Sequence, residues 1–344
     1  MFVSISFPYL IVYTTCLSVI DEVVACLAEV ECFDINKKHS MGHTPLAWAS
    51  GNGHEAVVEM LLGRADIDPD KPGEGGRTPL FCAAYNGHEG AVAILLGRDD
   101  VNPNQPDEDG RTPLWWAVHS GYEGVVKILL GRGDVSPDQP DNAGRTPLCW
   151  AARDGHEEMV KMLLGRDDVD PDKQGEGGQT PLCYASYKGH EGVVKILLGR
   201  DDVNPDQPDG TGRTPLWWAA CNGHEGVVKV LLLARADIDP NNPAEDGSTP
   251  LCCTAYNGHQ GVVEILLGQG GVNPDQPDKN GRTPLWWAAY WGYETTVKVL
   301  LERDDVNPSQ PDACGQTPLG CAAGNGHELV VEMLLGGDGV APTS

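Results

Sequence analysis

The sequence predicts an all-α solenoid built from stacked helix-turn-helix units with long finger loops. First, the triplet TPL recurs nine times in 344 residues, at intervals of 34 residues except for one interval of 35. Second, longer segments repeat: GRTPLWWAA stands at 212–220 and 281–289, and GRTPLWWAV at 110–118. Third, each copy carries two short apolar patterns with helical spacing. A fixed period of this length is typical of stacked repeat arrays.

The first helix of each repeat begins at TPL. In the third copy, the Thr112 hydroxyl is suited to cap the helix, and Pro113 fits the first helical position, where its missing N–H costs nothing. Leu114 and Ala117 lie three residues apart on one face, and Gly121 ends the helix.

A second helix and a polar finger complete the repeat. Val125, Val126, Leu129 and Leu130 have helical spacing. A polar stretch rich in turn-forming residues follows each second helix, such as GRDDVNPNQPDEDG at 97–110 after the second copy. One such unit cannot bury its apolar faces alone. Stacking against both neighbours buries them, which predicts a solenoid.

These motifs resemble the ankyrin repeat family over roughly residues 40–338. The resemblance is carried by TPL, the small residues Ala219 and Ala220, the GH pair at 223–224, the VV and LL pairs, and DVN at 202–204. Two features depart from the family pattern: its usual His after TPL is replaced by Trp, Cys, Phe, Ala or Gly, and the fingers are longer. The finger sequence RDDVNPDQPD at 200–209 resembles the repeats of large fungal ankyrin proteins, whose arrays often adjoin an NTP-binding or other effector module. The sequence contains no GxxxxGK[ST] phosphate loop.

Charge narrows the class of partner. The net charge is −26, from 50 acidic and 24 basic residues. Such a chain repels phosphate backbones, so nucleic acid is excluded as a partner, an anionic membrane is disfavoured, and a basic protein or peptide is favoured. The alternative is that the charge only keeps a large surface soluble.

The eleven cysteines show no CxxC pair and no zinc spacing. Several lie one or two residues after TPL, where they are predicted to be small buried thiols in a reducing compartment. This interpretation favours a cytoplasmic protein.

No catalytic or cofactor-binding motif is found. Seven of ten histidines begin the second helix, as His224 does, and no second His follows four residues later as in a zinc protease. The acidic fingers do not fit the EF-hand pattern, because Pro106 takes its third position and no acid stands at its twelfth. No GxSxG elbow occurs. The sequence therefore predicts no enzyme, no cofactor and no metal.

The paired tryptophans leave two interpretations open. Consecutive helical residues point about 100° apart, so Trp115 and Trp116 cannot both face one core. We expect one indole to pack between repeats and the other to be partly exposed, as also at 217–218 and 286–287. Either both indoles only pack repeats together, or the outer ones contact a ligand.

Protein recognition is the predicted function, through positions that vary between repeats. By resemblance to ankyrins, the end of the first helix and the residues around the closing glycine of the finger line a concave groove. Tyr and Trp are frequent at binding hot spots. The predicted helix-end residues are Tyr85, Asn86, His119, Arg153, Tyr187, Lys188, Tyr256, Asn257, Tyr290 and Trp291; the finger arginines are Arg77, Arg111, Arg145, Arg213 and Arg282. Alternatively, the arginines only pair with finger aspartates, which contributes little when such pairs are exposed.

The domain boundaries follow from the repeat. Residues 44–344 are predicted to form one solenoid domain of nine repeats, and 1–43 a cap made of an uncharged segment at 1–20 and a degenerate half repeat at 21–43. An anchor or signal remains an alternative for 1–20, although the basic region of a signal peptide is missing, and an artefact of the assigned gene start is a third alternative. The last copy stays apolar at Val330, Val331, Leu334 and Leu335, without the polar outer face of a solenoid cap. Two explanations stay open: the chain is a fragment of a longer array, or this end docks on another molecule, and either predicts fraying or self-association there. The alternative function is therefore an arm of a larger assembly that docks through this repeat.

Overall fold

The computed structural model describes residues 34–40 and 42–336, and these residues form α-helices and two short 3-10 turns but no β-strand. They divide into two compact units. Unit 1 comprises the described residues up to Ala151 together with His156–Asp170, and unit 2 comprises Ala152–Gly155 and the described residues from Pro171 onward. The predicted segment 1–20 and most of the predicted half repeat lie outside the described residues.

Eighteen α-helices alternate between first and second helices of the repeats in the described part of the chain. They are α1 (Pro45–Gly51), α2 (Glu55–Leu62), α3 (Pro79–Tyr85), α4 (Glu89–Leu96), α5 (Pro113–His119), α6 (Glu123–Leu130), α7 (Pro147–Asp154), α8 (Glu157–Leu164), α9 (Pro181–Lys188), α10 (Glu191–Leu198), α11 (Pro215–Cys221), α12 (Glu225–Ala234), α13 (Pro250–Asn257), α14 (Gln260–Leu267), α15 (Pro284–Trp291), α16 (Glu294–Leu301), α17 (Pro318–Gly324) and α18 (Glu328–Gly336). The predicted all-α fold of helix-turn-helix units is confirmed.

Local chemistry sets where each helix begins. In α11 the Thr214 hydroxyl accepts a hydrogen bond from the backbone N–H of Trp217 at 3.2 Å, and Pro215 takes the first helical position. The second helix begins one residue after His224, at Glu225, whose carboxylate suits the positive end of the helix dipole. Between the two helices, Gly223 has φ +74°, a left-handed conformation that favours glycine.

Each of the two compact units, unit 1 and unit 2, has two layers of helices. In unit 1, α1, α3 and α5 pack in sequence order, and α2, α4, α6 and α8 form the second layer. In unit 2, α9, α11, α13, α15 and α17 form one layer, and α10, α12, α14, α16 and α18 the other. The core holds the Leu of TPL and the VV and first Leu positions, for example Leu216, Val227, Val228 and Leu231, each at most 1% exposed.

Adjacent fingers are joined by hydrogen bonds. The Lys279 N–H donates to the Asp246 carbonyl at 2.9 Å, and the Glu245 N–H to the Thr211 carbonyl at 2.9 Å. Earlier in the same fingers, the Asp206 carboxylate accepts the backbone N–H of Asp239 at 2.7 Å. Burial raises the pKa of Asp206. The finger carboxylates therefore hold one repeat to the next, and part of that contact lies out of water.

The arginine that follows the glycine at the end of a second helix joins successive repeats, as Arg132 does in the sequence GRGD. Arg132 donates two hydrogen bonds to Asp134, at 2.8 and 2.5 Å, and a third to the Leu96 carbonyl at 2.8 Å. Leu96 is the last residue of α4, so the guanidinium satisfies a carbonyl that the helix end leaves unpaired. The Asp134 pKa is lowered, chiefly by its hydrogen bond with Arg132.

The described residues before α1 resemble a finger. Asn36 donates to the Asp66 carbonyl at 2.8 Å and accepts the Asp68 N–H at 2.9 Å. Asn104 repeats both contacts with Asp134 and Ser136. The boundaries at 43 and 44, and the prediction of one domain, remain predictions. Within 34–40 and 42–336, no helix has the length and apolar composition needed to cross a bilayer.

Candidate protein-binding face

The two tryptophans of each WW pair have different environments. Trp115, Trp217 and Trp286 are 3%, 5% and 3% exposed, whereas the second indole of each pair is only partly buried. The inner indoles reach the following repeat: Trp217 Nε1 donates to the Ser248 carbonyl at 3.1 Å, and Trp286 Nε1 to the Gln316 carbonyl at 3.0 Å. The expected division into a packing indole and a partly exposed indole is confirmed.

Each outer tryptophan contacts a tyrosine from the preceding repeat. Ring centroids lie 4.9 Å apart for Tyr85 and Trp116 in unit 1. The corresponding distances in unit 2 are 5.2 Å for Tyr187 and Trp218 and 4.9 Å for Tyr256 and Trp287, and all three pairs are edge-on. Edge-on aromatic contacts of this kind add to the stability gained by burial.

An arginine completes each contact, giving three Tyr–Trp–Arg clusters. The guanidinium carbon of Arg111 lies 4.6 Å from the Trp116 ring centroid. In unit 2 the distance is 5.1 Å from Arg213 to Trp218 and 4.9 Å from Arg282 to Trp287. The clusters are Tyr85–Trp116–Arg111, Tyr187–Trp218–Arg213 and Tyr256–Trp287–Arg282. Each cluster combines an exposed tyrosine, a half-buried indole and a guanidinium, the side chains that dominate protein-binding hot spots.

Sequence reasoning missed these clusters, although the signal is present. Tyrosine and tryptophan are separated by 31 residues in all three, a spacing that joins the end of one first helix to the start of the next. Comparing the repeats position by position pairs residues that are 34 apart, so it does not bring together a tyrosine and a tryptophan that are 31 apart. His119 and Trp150 have the same spacing, and their rings lie 5.0 Å apart.

The finger arginines behave differently in the two units. In unit 1, Arg111 pairs with Asp107 at 3.1 Å and with Asp109, and Arg145 pairs with Asp141 at 3.0 Å. In the described part of unit 2, Arg213 and Arg282 have no carboxylate partner, and the Nε of each is buried without a hydrogen bond. Pairing with finger aspartates, the alternative stated for these arginines, therefore describes Arg111 and Arg145 but not Arg213 and Arg282.

Arg213 and Arg282 are instead held by aromatic stacking. The Arg213 guanidinium lies 4.7 Å from the Trp217 ring centroid, and that of Arg282 lies 4.9 Å from Trp286. In the cluster around Arg213, the Asp209 carboxylate accepts Trp218 Nε1 at 3.1 Å. Arg77 is exposed and lies 5.6 Å from the Phe81 ring.

The other predicted helix-end residues have mixed environments. Trp291 is 44% exposed and contacts Tyr256 at 5.6 Å, while Tyr290 stacks on Trp286 at 5.2 Å. Asn257 is half-buried and donates to the Cys221 carbonyl at the end of the first helix of the preceding repeat, and to the Cys253 carbonyl in its own helix. Asn86 and Lys188 are exposed, and His119 and Arg153 are half-buried. Whether these side chains bind a partner stays a prediction.

The cysteines are not all thiols. Cys82, Cys149, Cys183, Cys252 and Cys321 are buried and free, as expected, and burial raises the pKa of the Cys183 thiol to about 12. The structure joins Cys221 and Cys253 as a disulfide, with 5.1 Å between Cα atoms. The expectation of thiols alone is wrong for this pair, because its members come together from neighbouring repeats rather than from a local motif.

The histidines that immediately precede second helices contact the neighbouring repeat. His259 Nε2 lies 3.1 Å from the Cys221 carbonyl at the end of the first helix of the preceding repeat, and His224 Nε2 lies 2.9 Å from the Tyr187 carbonyl. In the residues that the structure describes, no group of three or more His, Cys, Asp or Glu side chains is arranged to hold a metal ion.

Comparison with known protein families agrees with this geometry. A family model described as ankyrin repeats (3 copies) matches residues 63–141, 100–174, 134–209, 168–244, 231–312 and 272–343. A single ankyrin repeat model matches 41–72. A search of curated proteins returned no match. The family matches cover most of the chain, with the helix pairs and caps described above, and the chain therefore belongs to the ankyrin repeat family, as a repeat solenoid whose general role is protein binding.

Proposed function

We propose that the chain is a non-catalytic scaffold that binds a protein or peptide through its finger face. The finger face is defined here as the ends of the first helices together with the closing turns of the fingers. By resemblance to other ankyrin repeat proteins, this surface lines the concave groove. The observation that carries the proposal is the presence of the three Tyr–Trp–Arg clusters on it.

The clusters are not required for stacking. All nine repeats carry TPL, but only three carry a WW pair, and repeats without one still form the same two helices. The tyrosines of the clusters, Tyr85, Tyr187 and Tyr256, remain 44%, 39% and 41% exposed. Rigid aromatic rings and stacked guanidinium groups contribute strongly when a partner excludes water from them.

The partner is proposed to carry a basic surface. The net charge of −26 raises the local concentration of cationic segments and accelerates their association. The same charge disfavours nucleic acid. A cytoplasmic location is proposed from the buried free thiols, and counting thiols in protein isolated from its native cell tests this point.

The test is capture of partners from native lysate, read by mass spectrometry. The baits are the parent protein, a variant with Tyr85→Ala, Tyr187→Ala and Tyr256→Ala, and a control with Tyr122→Ala. Tyr122 is a suitable control because it is 37% exposed but lies before the second helix α6. A partner that is retained by the control and lost by the triple variant supports the proposal. The same partners on all three folded baits would refute it.

A second candidate is an arm of a larger, NTPase-linked assembly that docks through the last repeat. Leu329 and Leu335 in α18 are 51% and 57% exposed, and this observation favours an apolar contact there. Polar substitution of these two leucines, with the finger face intact, separates this candidate from the first.

A further inference from the structure

The seventh repeat interrupts the pattern of its neighbours inside unit 2. Where the sixth and eighth repeats carry Arg, Trp and Trp around TPL, the seventh carries Ser248, Cys252 and Cys253. Three large side chains are thus replaced by three small ones at equivalent positions. The structure has a cavity of about 300 Å³ at this place, and all three small residues line it.

Aromatic rings from three successive repeats form the walls of this cavity, which we call the seventh-repeat pocket. Trp217 belongs to the sixth repeat, Tyr256 to the seventh and Trp287 to the eighth, and each lines it. Tyr256 and Trp287 meet edge-on at 4.9 Å, and Trp217 is fixed by its hydrogen bond to the Ser248 carbonyl. Because these rings are held by neighbours, the pocket is preformed, which lowers the entropic cost of binding.

The polar lining carries more negative than positive charge. Asp246 and Asp278 line the pocket, and the only basic side chain among its lining residues is Arg213. One oxygen of each carboxylate is used by its own finger: Asp246 Oδ1 accepts the Ser248 N–H at 2.9 Å, and Asp278 Oδ1 accepts the Arg282 N–H at 3.0 Å. The second oxygen of each remains available to a ligand.

We propose that the seventh-repeat pocket receives one lysine or arginine side chain of the partner. Its volume suits a single long side chain. The methylene groups would pack against the indoles and Tyr256, and the cationic head would contact Asp246 and Asp278 beside the aromatic rings. Both kinds of contact favour a cation, since carboxylates pair with it and ring faces attract it. The inference rests on the proposed function, because it names the chemistry that one part of the finger face recognises.

The test uses small probes and does not require the partner. The full chain is labelled with 5-fluorotryptophan, and the ¹⁹F resonances of Trp217 and Trp287 are assigned by single Trp→Phe variants. The probes are N-acetyl-lysine amide and N-acetyl-arginine amide. Their neutral counterparts are N-acetyl-norleucine amide and N-acetyl-citrulline amide, and N-acetyl-glutamate amide is the anionic probe. We expect saturable shifts of the two resonances with the cationic probes only, with Kd on the order of 1–10 mM, as befits a single side chain.

Two variants test the assigned residues. The double variant Asp246→Asn with Asp278→Asn keeps the oxygen that each finger turn needs and removes the charge. It should weaken the cationic probes at least about fivefold, about 1 kcal/mol. The matched control, Asp109→Asn with Asp141→Asn, changes equivalent finger positions in unit 1 and should leave the probe affinity unchanged.

A filled pocket gives an independent check. The double variant Ser248→Arg with Cys252→Trp restores two of the side chains of the neighbouring repeats and leaves the Cys221–Cys253 disulfide in place. It should abolish probe binding while the helical circular dichroism is retained. Equal affinity for neutral probes, preference for the glutamate probe through Arg213, or no shift with any probe would each overturn the inference. Because the probes act without the partner, loss of capture by the tyrosine variant together with silent probes would refute only the pocket, and the reverse would refute only the proposed function.

Discussion

The inner and outer tryptophans should differ sharply in their contribution to stability. Trp217 is 5% exposed, so truncation to Ala removes most of the area that a buried Trp contributes, about 200 Å². At about 25 cal/mol per Å² this corresponds to about 5 kcal/mol. The variant also loses the hydrogen bond from Nε1 to the Ser248 carbonyl at 3.1 Å. Partial collapse of the site brings the expected loss to about 3–5 kcal/mol.

Trp218→Ala should cost about half as much. This indole is only partly buried, and it loses one hydrogen bond to Asp209 at 3.1 Å and one edge contact with Tyr187. The assay is urea unfolding followed by circular dichroism, with the shift in midpoint as the readout, because repeat arrays need not unfold in two states. Equal destabilisation by the two substitutions would refute the assignment of the first indole to packing and the second to the surface.

Three further predictions concern the turns, the fingers and the last helix. Gly223→Ala should destabilise the folded protein by more than about 1 kcal/mol in thermal unfolding, because φ is +74° and the new Cβ would lie 2.8 Å from His259. The control is Gly324→Ala, where no atom lies near the new Cβ, and it should stabilise the folded protein by about 0.5 kcal/mol. Burial raises the pKa of Asp206, so this group stabilises the folded state increasingly as pH falls through that raised pKa towards the unfolded pKa of about 3.9. The melting temperature of the parent protein should therefore gain on that of Asp206→Asn over this range, and a difference that does not change with pH would contradict the assignment. Light scattering over a concentration series should show a smaller apparent mass for Leu335→Ser than for the parent protein, whereas a concentration-independent monomeric mass of the parent would exclude self-association.

The local parts of the fold could be predicted from the sequence because they depend on short-range chemistry. Thr and Pro before Leu fix the start of each first helix, and glycine fixes the turn at Gly223. The burial of Trp217 between repeats and the partial exposure of Trp218 were also predictable, since consecutive helical residues cannot share a face. These features need no knowledge of how the repeats face each other.

Features that arise between repeats could not be predicted by comparing equivalent positions. The contact of Tyr187 with Trp218 depends on the step from one first helix to the next. The Cys221–Cys253 disulfide also crosses that step. Arg111 and Arg213 stand in the same motif, and Asp107 and Asp209 each accept the outer indole N–H through Oδ2, yet only Arg111 also pairs with its carboxylate. Such differences depend on side-chain geometry that one sequence does not encode locally.

The most direct test of the account is the affinity of a captured partner for the finger face. Isothermal titration would compare the parent protein, the variant with Tyr85→Ala, Tyr187→Ala and Tyr256→Ala, and the Tyr122→Ala control. Loss of one hot spot costs about 2 kcal/mol or more, so the triple variant should bind at least about 100-fold more weakly while the control keeps the parent affinity. Equal affinity of the parent and the folded triple variant would contradict the claim that the Tyr–Trp–Arg clusters form the binding surface.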